Sequence, residues 1–263
     1  AKEPDRTASS SDAVMSVSIA EGNIVIENNK VSAGEEVLGA VPEEGIVISG
    51  ESTENHITLR GGSEENPLKV TISGLSISSE VLEADAAYSL IDIAGGHVEL
   101  TLDGENTLEN AGGDKAVVHV APNAALTVVG DGSLGIQNGR PDSTDFEASG
   151  ASIGGNAGQT PGSITIEDGN ISIEQYGTGA GIGGGGEVKG VVGNSGILAV
   201  HGGNLEVCVE AVIGGKGTGA GIGVGGGGTY SNDGLLETIE ISGGIVDVSV
   251  KGDPSPSKKG ATK

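Results

Sequence analysis

Apolar and polar positions alternate with a period of two along most of this chain, and the alternation recurs in one short form. A β-branched or aliphatic pair flanks a small or polar residue, a turn with glycine follows, and a second alternating run begins. The form reads Val70-Thr71-Ile72-Ser73-Gly74, Leu100-Thr101-Leu102-Asp103-Gly104, Leu126-Thr127-Val128-Val129-Gly130 and Ile164-Thr165-Ile166-Glu167-Asp168-Gly169. Looser copies stand at Leu198-Ala199-Val200-His201-Gly202 and Ile239-Glu240-Ile241-Ser242-Gly243. A period of two predicts strands, and further strands are expected at Ile24-Val25-Ile26, Ile46 to Ile48, Ile57 to Leu59, Leu90 to Ile93 and Val117 to Val120. Glu21-Gly22-Asn23 and Glu27-Asn28-Asn29 supply turn chemistry between them.

Short strands returning every roughly 30 to 40 residues imply a stacked architecture in which each coil buries its face against its neighbours. The expected fold is all-β, a right-handed single-stranded parallel β-helix, or solenoid, of about ten coils. Residues 1–20 are expected to form a loose lead-in with a short capping segment near Asp12 to Ile19, residues 21–252 the β-helix, and residues 253–263 a Pro/Ser/Lys linker or tail leading to something downstream. The polar stretch from Asn138 to Asp145 is expected to project as a loop.

Composition agrees with a stack and disagrees with an ordinary globular core. Fifty glycines, no tryptophan, one phenylalanine and three tyrosines cannot fill the interior of a 263-residue globular domain. Ladders of Ile, Val, Leu and Ala about 4.8 Å apart can. The glycines have no period of three, which excludes collagen. Two glycine-rich runs repeat: Gly177-Thr178-Gly179-Ala180-Gly181-Ile182-Gly183-Gly184 returns as Gly217-Thr218-Gly219-Ala220-Gly221-Ile222-Gly223-Val224. A single inward isoleucine in each fits a narrow strand between close turns.

A formal net charge of -24 argues against nucleic acid and anionic membranes as partners. No apolar run approaches the roughly 20 residues of a helical span, so membrane insertion is not expected. The chain opens at Ala1 without an initiator methionine, as a trimmed or mature form would. Cys208, the single cysteine, stands in a strand pattern, Val207-Cys208-Val209, where a packing role is expected.

The candidate chemistry is sparse. The glycine runs satisfy a loose dinucleotide pattern, but no helix-forming stretch follows to hold a phosphate and no P-loop lysine is present. Asp103 with Glu105 and Asn106, Asp131, and Asp168 with Asn170 sit at strand turns, where several oxygens close together suit calcium; the simpler reading is solvated residues of ordinary Asp-Gly turns. Thr58, Thr71, Thr101, Thr127 and Thr165 would, in register, form one outward hydroxyl row that breaks at Ala199 and Glu240. Neither clustered aspartates with a basic residue nor a Ser-His-Asp arrangement is legible, and His56, His97, His119 and His201 are scattered. No catalytic residue is assigned.

The coils Val98-Glu99-Leu100-Thr101-Leu102-Asp103-Gly104-Glu105-Asn106-Thr107-Leu108 and Ala125-Leu126-Thr127-Val128-Val129-Gly130-Asp131-Gly132-Ser133-Leu134 resemble those of secreted bacterial carbohydrate-binding parallel β-helix proteins. The Gly-Ala-Gly-Ile-Gly-Gly repeats are similar to those of large surface proteins of Gram-positive anaerobes. The resemblance spans about residues 50 to 250. It implies an extracellular, cell-surface location, non-catalytic binding of a polysaccharide such as pectin or cellulose or of a host glycan, and calcium within the rod. Aromatic platforms for sugar rings are few, and Tyr176 and Tyr230, each beside a glycine run, are the candidates. A structural stalk or protein-binding adhesin domain, and a polysaccharide lyase-like enzyme, are the alternatives.

Overall fold

The computed structural model describes residues 14–79, 88–141, 148–212, 217–227 and 234–252. It is a parallel β-helix of one continuous 21-stranded sheet wound into three faces. Each coil passes through face 1, face 2 and face 3 in turn.

Face 1 is built on an apolar ladder that runs Ile24, Ile57, Ile91, Val118, Ile153, Ile182, Ile222, each paired in parallel register with the next. These seven rungs return every 27 to 40 residues. Face 2 stacks Met15, Ile46, Val70, Leu100, Val128, Ile166, Val200 and Ile241 in the same way. Face 3 stacks Ser52, Ile77, Leu108, Ile136, Ile173, Val207 and Val248. From Ile57 to Val209 the apolar members of these ladders are almost wholly buried, so the core is a column of β-branched and leucine side chains rather than an aromatic cluster.

The described residues hold seven coils, fewer than the ten that the count of apolar runs implies. The reason is that Leu68–Ser79 and Ile91–Asp103 are each one strand serving two faces, so runs separated by a glycine belong to the same coil. The stack also starts earlier than residue 21, for Met15–Ser18 already pairs in parallel with Ile46 to Ser49 and buries Val17. A 3₁₀ turn, Ile19–Glu21, follows, with Ser18 Oγ accepting from the Ala20 amide at 3.3 Å.

On face 1 the N-terminal edge is covered by a hairpin. Asn28 and Asn29 both have positive φ, at 53° and 59°, and make the tight turn that folds Lys30–Ala33 back antiparallel on Ile24–Glu27. Glu36–Ala40 adds a third antiparallel strand. This hairpin occupies the edge of face 1 that no earlier coil covers among the described residues.

The glycine runs make the narrowest part of face 1. Ile182–Gly183 and Ile222–Gly223 are two-residue strands with their isoleucines in register, as the pattern predicts. A third copy, Gly150-Ala151-Ser152-Ile153-Gly154-Gly155, pairs with them through Ile153. In each copy the alanine amide donates to the carbonyl four residues on: Ala151 to Gly155, Ala180 to Gly184, Ala220 to Val224. Gly183 shows why glycine is required, since its φ is +132° and a Cβ there would strike the Gly223 carbonyl of the next coil.

Candidate functional site

The outward residues of face 3 form two adjacent rows along the stack. One runs Glu105, Ser133, Asn170, Asn204, Ile245, and the other Thr107, Gly135, Ser172, Glu206, Asp247. Between them lies an open groove of about 670 Å³ that crosses five coils. Four intervals of about 4.8 Å make its length about 19 Å. The register that stacks the inner apolar ladder also aligns the outer rows, because alternate residues of a strand point to opposite faces.

Local sequence makes the groove. In its second coil Gly135 has ordinary extended backbone and an added Cβ would meet only the Asn106 carbonyl oxygen, at 3.9 Å. Neither conformation nor close packing demands glycine here, so its effect is to leave the floor open between Thr107 and Ser172. The wall is held by amides: Asn204 Nδ2 donates to Asn170 Oδ1 at 2.7 Å, and Asn170 Nδ2 donates to the Asp131 carbonyl at 3.2 Å. Hydroxyls and amides dominate the middle of the groove, while Glu105 stands toward one end and Glu206 with Asp247 toward the other. No lysine, arginine or histidine lines it. Fixed donors and acceptors beside an acidic rim suit an uncharged polyhydroxyl chain and repel a bare polyanion.

The predicted cation residues are distributed along turns. Asp103 is exposed and its Oδ2 accepts from Ser73 Oγ at 2.8 Å, one coil away. Asp168 Oδ1 accepts from the Gly169 amide at 2.8 Å, ordinary turn chemistry. Asp131 is exposed at its turn, and Glu105 lines the groove. Asn106 points inward: it is 2% exposed, its Oδ1 accepts from the Leu75 amide, and its Nδ2 donates to the Asp103 and Ser133 carbonyls. Among the described residues no three His, Cys, Asp or Glu side chains gather where they could hold a metal ion.

Tyr176 ends the strand Asn170–Tyr176, on the side of face 3 away from the groove, in a row with Glu210 and Lys251. Its hydroxyl donates to Glu174 Oε2 at 3.2 Å. Partial burial, reinforced by the Glu174 carboxylate, pushes the phenol up to about 12. Tyr230 lies outside the described residues.

The threonine row does not form. Thr71 pairs with Thr101 and then with Val129, whereas Thr127 pairs with Thr165 in the neighbouring row, two residues along the strand. Thr58 lies on face 1, opposite Asp92. The break at Ala199 and Glu240 is as expected. Cys208 lies in a strand, as its pattern predicts, half-buried on the outward row between Glu174 and Ser249.

The histidines are engaged across coils. His119 Nδ1 lies 2.7 Å from Asp92 Oδ1 and its Nε2 lies 3.1 Å from Gln159 Oε1. His201 Nδ1 is 3.0 Å from Glu167 Oε1. His56 stacks on Tyr88 with ring centroids 4.3 Å apart, and its Nδ1 is buried without a hydrogen-bond partner. Burial holds this imidazole below its usual value, partly offset by the Asp92 carboxylate.

Sequence reasoning missed two features. The groove depends on a glycine inside a strand, Gly135 in Ser133–Asn138, which the pattern Ser-Leu-Gly-Ile-Gln-Asn already contains. The other is a buried polar row on face 3, Ser79, Asn110, Asn138 and Gln175, whose signal is a polar residue recurring where the alternation calls for an apolar one. Asn138 is thus a core residue at the end of a strand and not part of a projecting loop; residues 142–145 of that loop lie outside the described residues.

No protein family, no curated protein and no solved structure matches this chain. No helix among the described residues is long and apolar enough to cross a membrane.

Proposed function

We propose that this chain is a non-catalytic, extracellular carbohydrate-binding or adhesive surface module that takes an extended polysaccharide along the groove of face 3. One observation carries the reading: four of the five coils place hydroxyls or amides in register beside a floor left open by Gly135. A polymer with a regular repeat is a natural match for a surface with a regular repeat. The acidic rim favours a neutral chain of the cellulose type. A pectin-like uronic chain needs a bridging cation such as calcium, drawn in by Glu105 or by the turn carboxylates Asp103, Asp131 and Asp168.

The test is affinity electrophoresis of the full chain and of Gly135→Leu in gels containing cellulose derivatives, pectin or mucin glycans, each with calcium and with chelator. An assay for new unsaturated ends runs alongside. Retardation of the native chain that Gly135→Leu abolishes is the expected result. No retardation in any gel would sink the reading in favour of a stalk or protein-binding adhesin, and release of unsaturated uronides would replace it with a lyase.

A further inference from the structure

A second cavity, of about 420 Å³, opens at the corner between faces 1 and 2 and shares no residue with the groove. Two successive corner turns wall it. Pro42 opens the first, which Gly45 closes by donating its amide to the Pro42 carbonyl at 3.0 Å. In the second, the Ser63 amide donates to the Asn66 carbonyl at 2.9 Å and the Asn66 amide donates to Ser63 Oγ at 3.2 Å, with Pro67 next in the chain. Each turn leads into a strand of face 2, where Ile46 pairs with Val70, so the walls are held in register and the cavity is formed before any ligand enters.

The floor is apolar, made by Ile26, Val41, Pro42, Pro67 and Leu68. The rim carries charge of both signs at fixed places. Arg60 stands near the end of the face 1 strand Ile57–Gly61, Lys69 near the start of the face 2 strand Leu68–Ser79, and Glu43 and Glu65 one on each turn. Arg60 uses only Nε on Glu27, at 3.2 Å, which leaves both terminal nitrogens of its guanidinium without a partner among the described residues. Lys69 Nζ and the carboxylates of Glu43 and Glu65 have no partner there either.

We propose that this cavity binds a small zwitterion with an apolar body, of the kind a short peptide with free ends supplies. Its carboxylate lies on Arg60 and Lys69, its ammonium on Glu43 and Glu65, and its side chains on the floor. The open edge of a guanidinium matches a carboxylate with two parallel hydrogen bonds, and Lys69 adds a point charge beside it. A plain anion is opposed by Glu43 and Glu65 and by the net charge of -24. A plain cation is opposed by Arg60 and Lys69, and a neutral sugar leaves both pairs of charges uncompensated as it displaces their water. A zwitterion meets both signs and carries no net charge. The volume falls within the roughly 300 to 1,000 Å³ of small-molecule sites.

The experiment is equilibrium dialysis of the full chain against the radiolabelled dipeptide Leu-Leu, its N-acetyl form and its C-terminal amide. Leu-Leu is expected to be retained, and each cap to weaken retention about tenfold or more, because each strands one pair of rim charges. Arg60→Gln and Lys69→Gln should each weaken Leu-Leu by a similar factor. Glu43→Gln combined with Glu65→Gln should weaken Leu-Leu and improve the N-acetyl form, which has no ammonium to lose. All four positions are exposed, so the circular dichroism of every variant should stay native. No retention of Leu-Leu at millimolar concentration, affinities indifferent to the caps, or charge variants that bind as the native chain does would each overturn the proposal. Preferential binding of the N-acetyl form would overturn it as well, in favour of a simple carboxylate site.

Discussion

Asn138 Nδ2 donates to Gln175 Oε1 at 2.9 Å across one coil, and both side chains are 0% exposed. The same Asn138 nitrogen reaches the Gly150 carbonyl at 3.0 Å, while Gln175 Oε1 also accepts from Ser152 Oγ at 2.7 Å and Gln175 Nε2 donates to the Ala148 carbonyl at 3.0 Å. The amides therefore tie face 3 to the start of face 1 at a corner where backbone carbonyls would otherwise be buried unpaired. One rung later the row changes to Val209, and the corner is closed by Ala211 donating to the Lys251 carbonyl. Asn138→Ala is expected to destabilise the chain by about 1 to 3 kcal/mol for the buried groups it strands. A urea midpoint displaced downward, with an unchanged dependence on denaturant, is the check; an unmoved midpoint would show that the row is dispensable.

Glycines in this fold differ in what they are for, and substitution separates them. Gly183→Ala combines a φ of +132° with a collision against the Gly223 carbonyl, so the loss is expected to exceed about 3 kcal/mol. Gly104→Ala meets nothing within 4 Å and carries only a left-handed φ of +62°, for which about 1 to 2 kcal/mol is the expected loss. Thermal or urea unfolding of the two variants side by side decides it. Equal losses would mean that close stacking of the glycine-run coils contributes nothing beyond backbone conformation.

His56 gives the fold a dependence on pH of definite sign. Its imidazole is held below its usual value mainly by burial, so the unfolded chain binds a proton more readily than the folded one. Stability from this residue is complete above the unfolded value, near 6.5, and falls as the pH drops through that value toward the lower folded one. His56→Phe keeps the stack on Tyr88 and removes the titration. The expected outcome is a native chain that loses more stability than His56→Phe on going from about pH 7.5 to about pH 5.5. Parallel stability curves for the two proteins would refute this.

Much of this architecture is readable in the chain because a parallel stack has one repeating requirement, an apolar residue at every second position facing its copy in the next coil. Ile153, Ile182 and Ile222 obey it even inside runs of glycine. The coil count was less legible, since a residue such as Gly74 or Gly96 looks like a chain break and is in fact a corner within one strand. The threonine row failed for a related reason: the triplets look equivalent, but a register offset of two residues puts Thr101 beside Val129 and not beside Thr127. Sites are harder still, because a groove made by the side chain that Gly135 lacks leaves no chemical signature, and carboxylates as alike as Asp103 and Asp168 differ only in which neighbour they bond.

Gly135→Leu tests the groove with the fold held constant. The position is extended, outward and open, so a side chain there should leave the urea midpoint within about 0.5 kcal/mol of the native value. It would nevertheless stand across the floor between Thr107 and Ser172, where a bound chain must lie. Loss of glycan retardation at unchanged stability is expected. Retained binding would move the site out of the groove, toward the side of face 3 on which Tyr176 stands.

The charge of the groove makes the last prediction. Glu206 and Asp247 are successive members of one outward row, with no cationic side chain in the lining to offset them. A polyanion approaching this end is repelled, and the repulsion weakens as salt screens it over a Debye length of about 8 to 10 Å. Neutralising both, as Glu206→Gln with Asp247→Asn, should therefore raise retention by pectin in chelator, most strongly at low ionic strength, and leave retention by an uncharged cellulose derivative within twofold of native. The same substitution should shrink any gain that calcium gives on pectin, because fewer carboxylates remain to share the ion. If pectin retention in chelator is the same before and after substitution, the acidic row does not face the glycan.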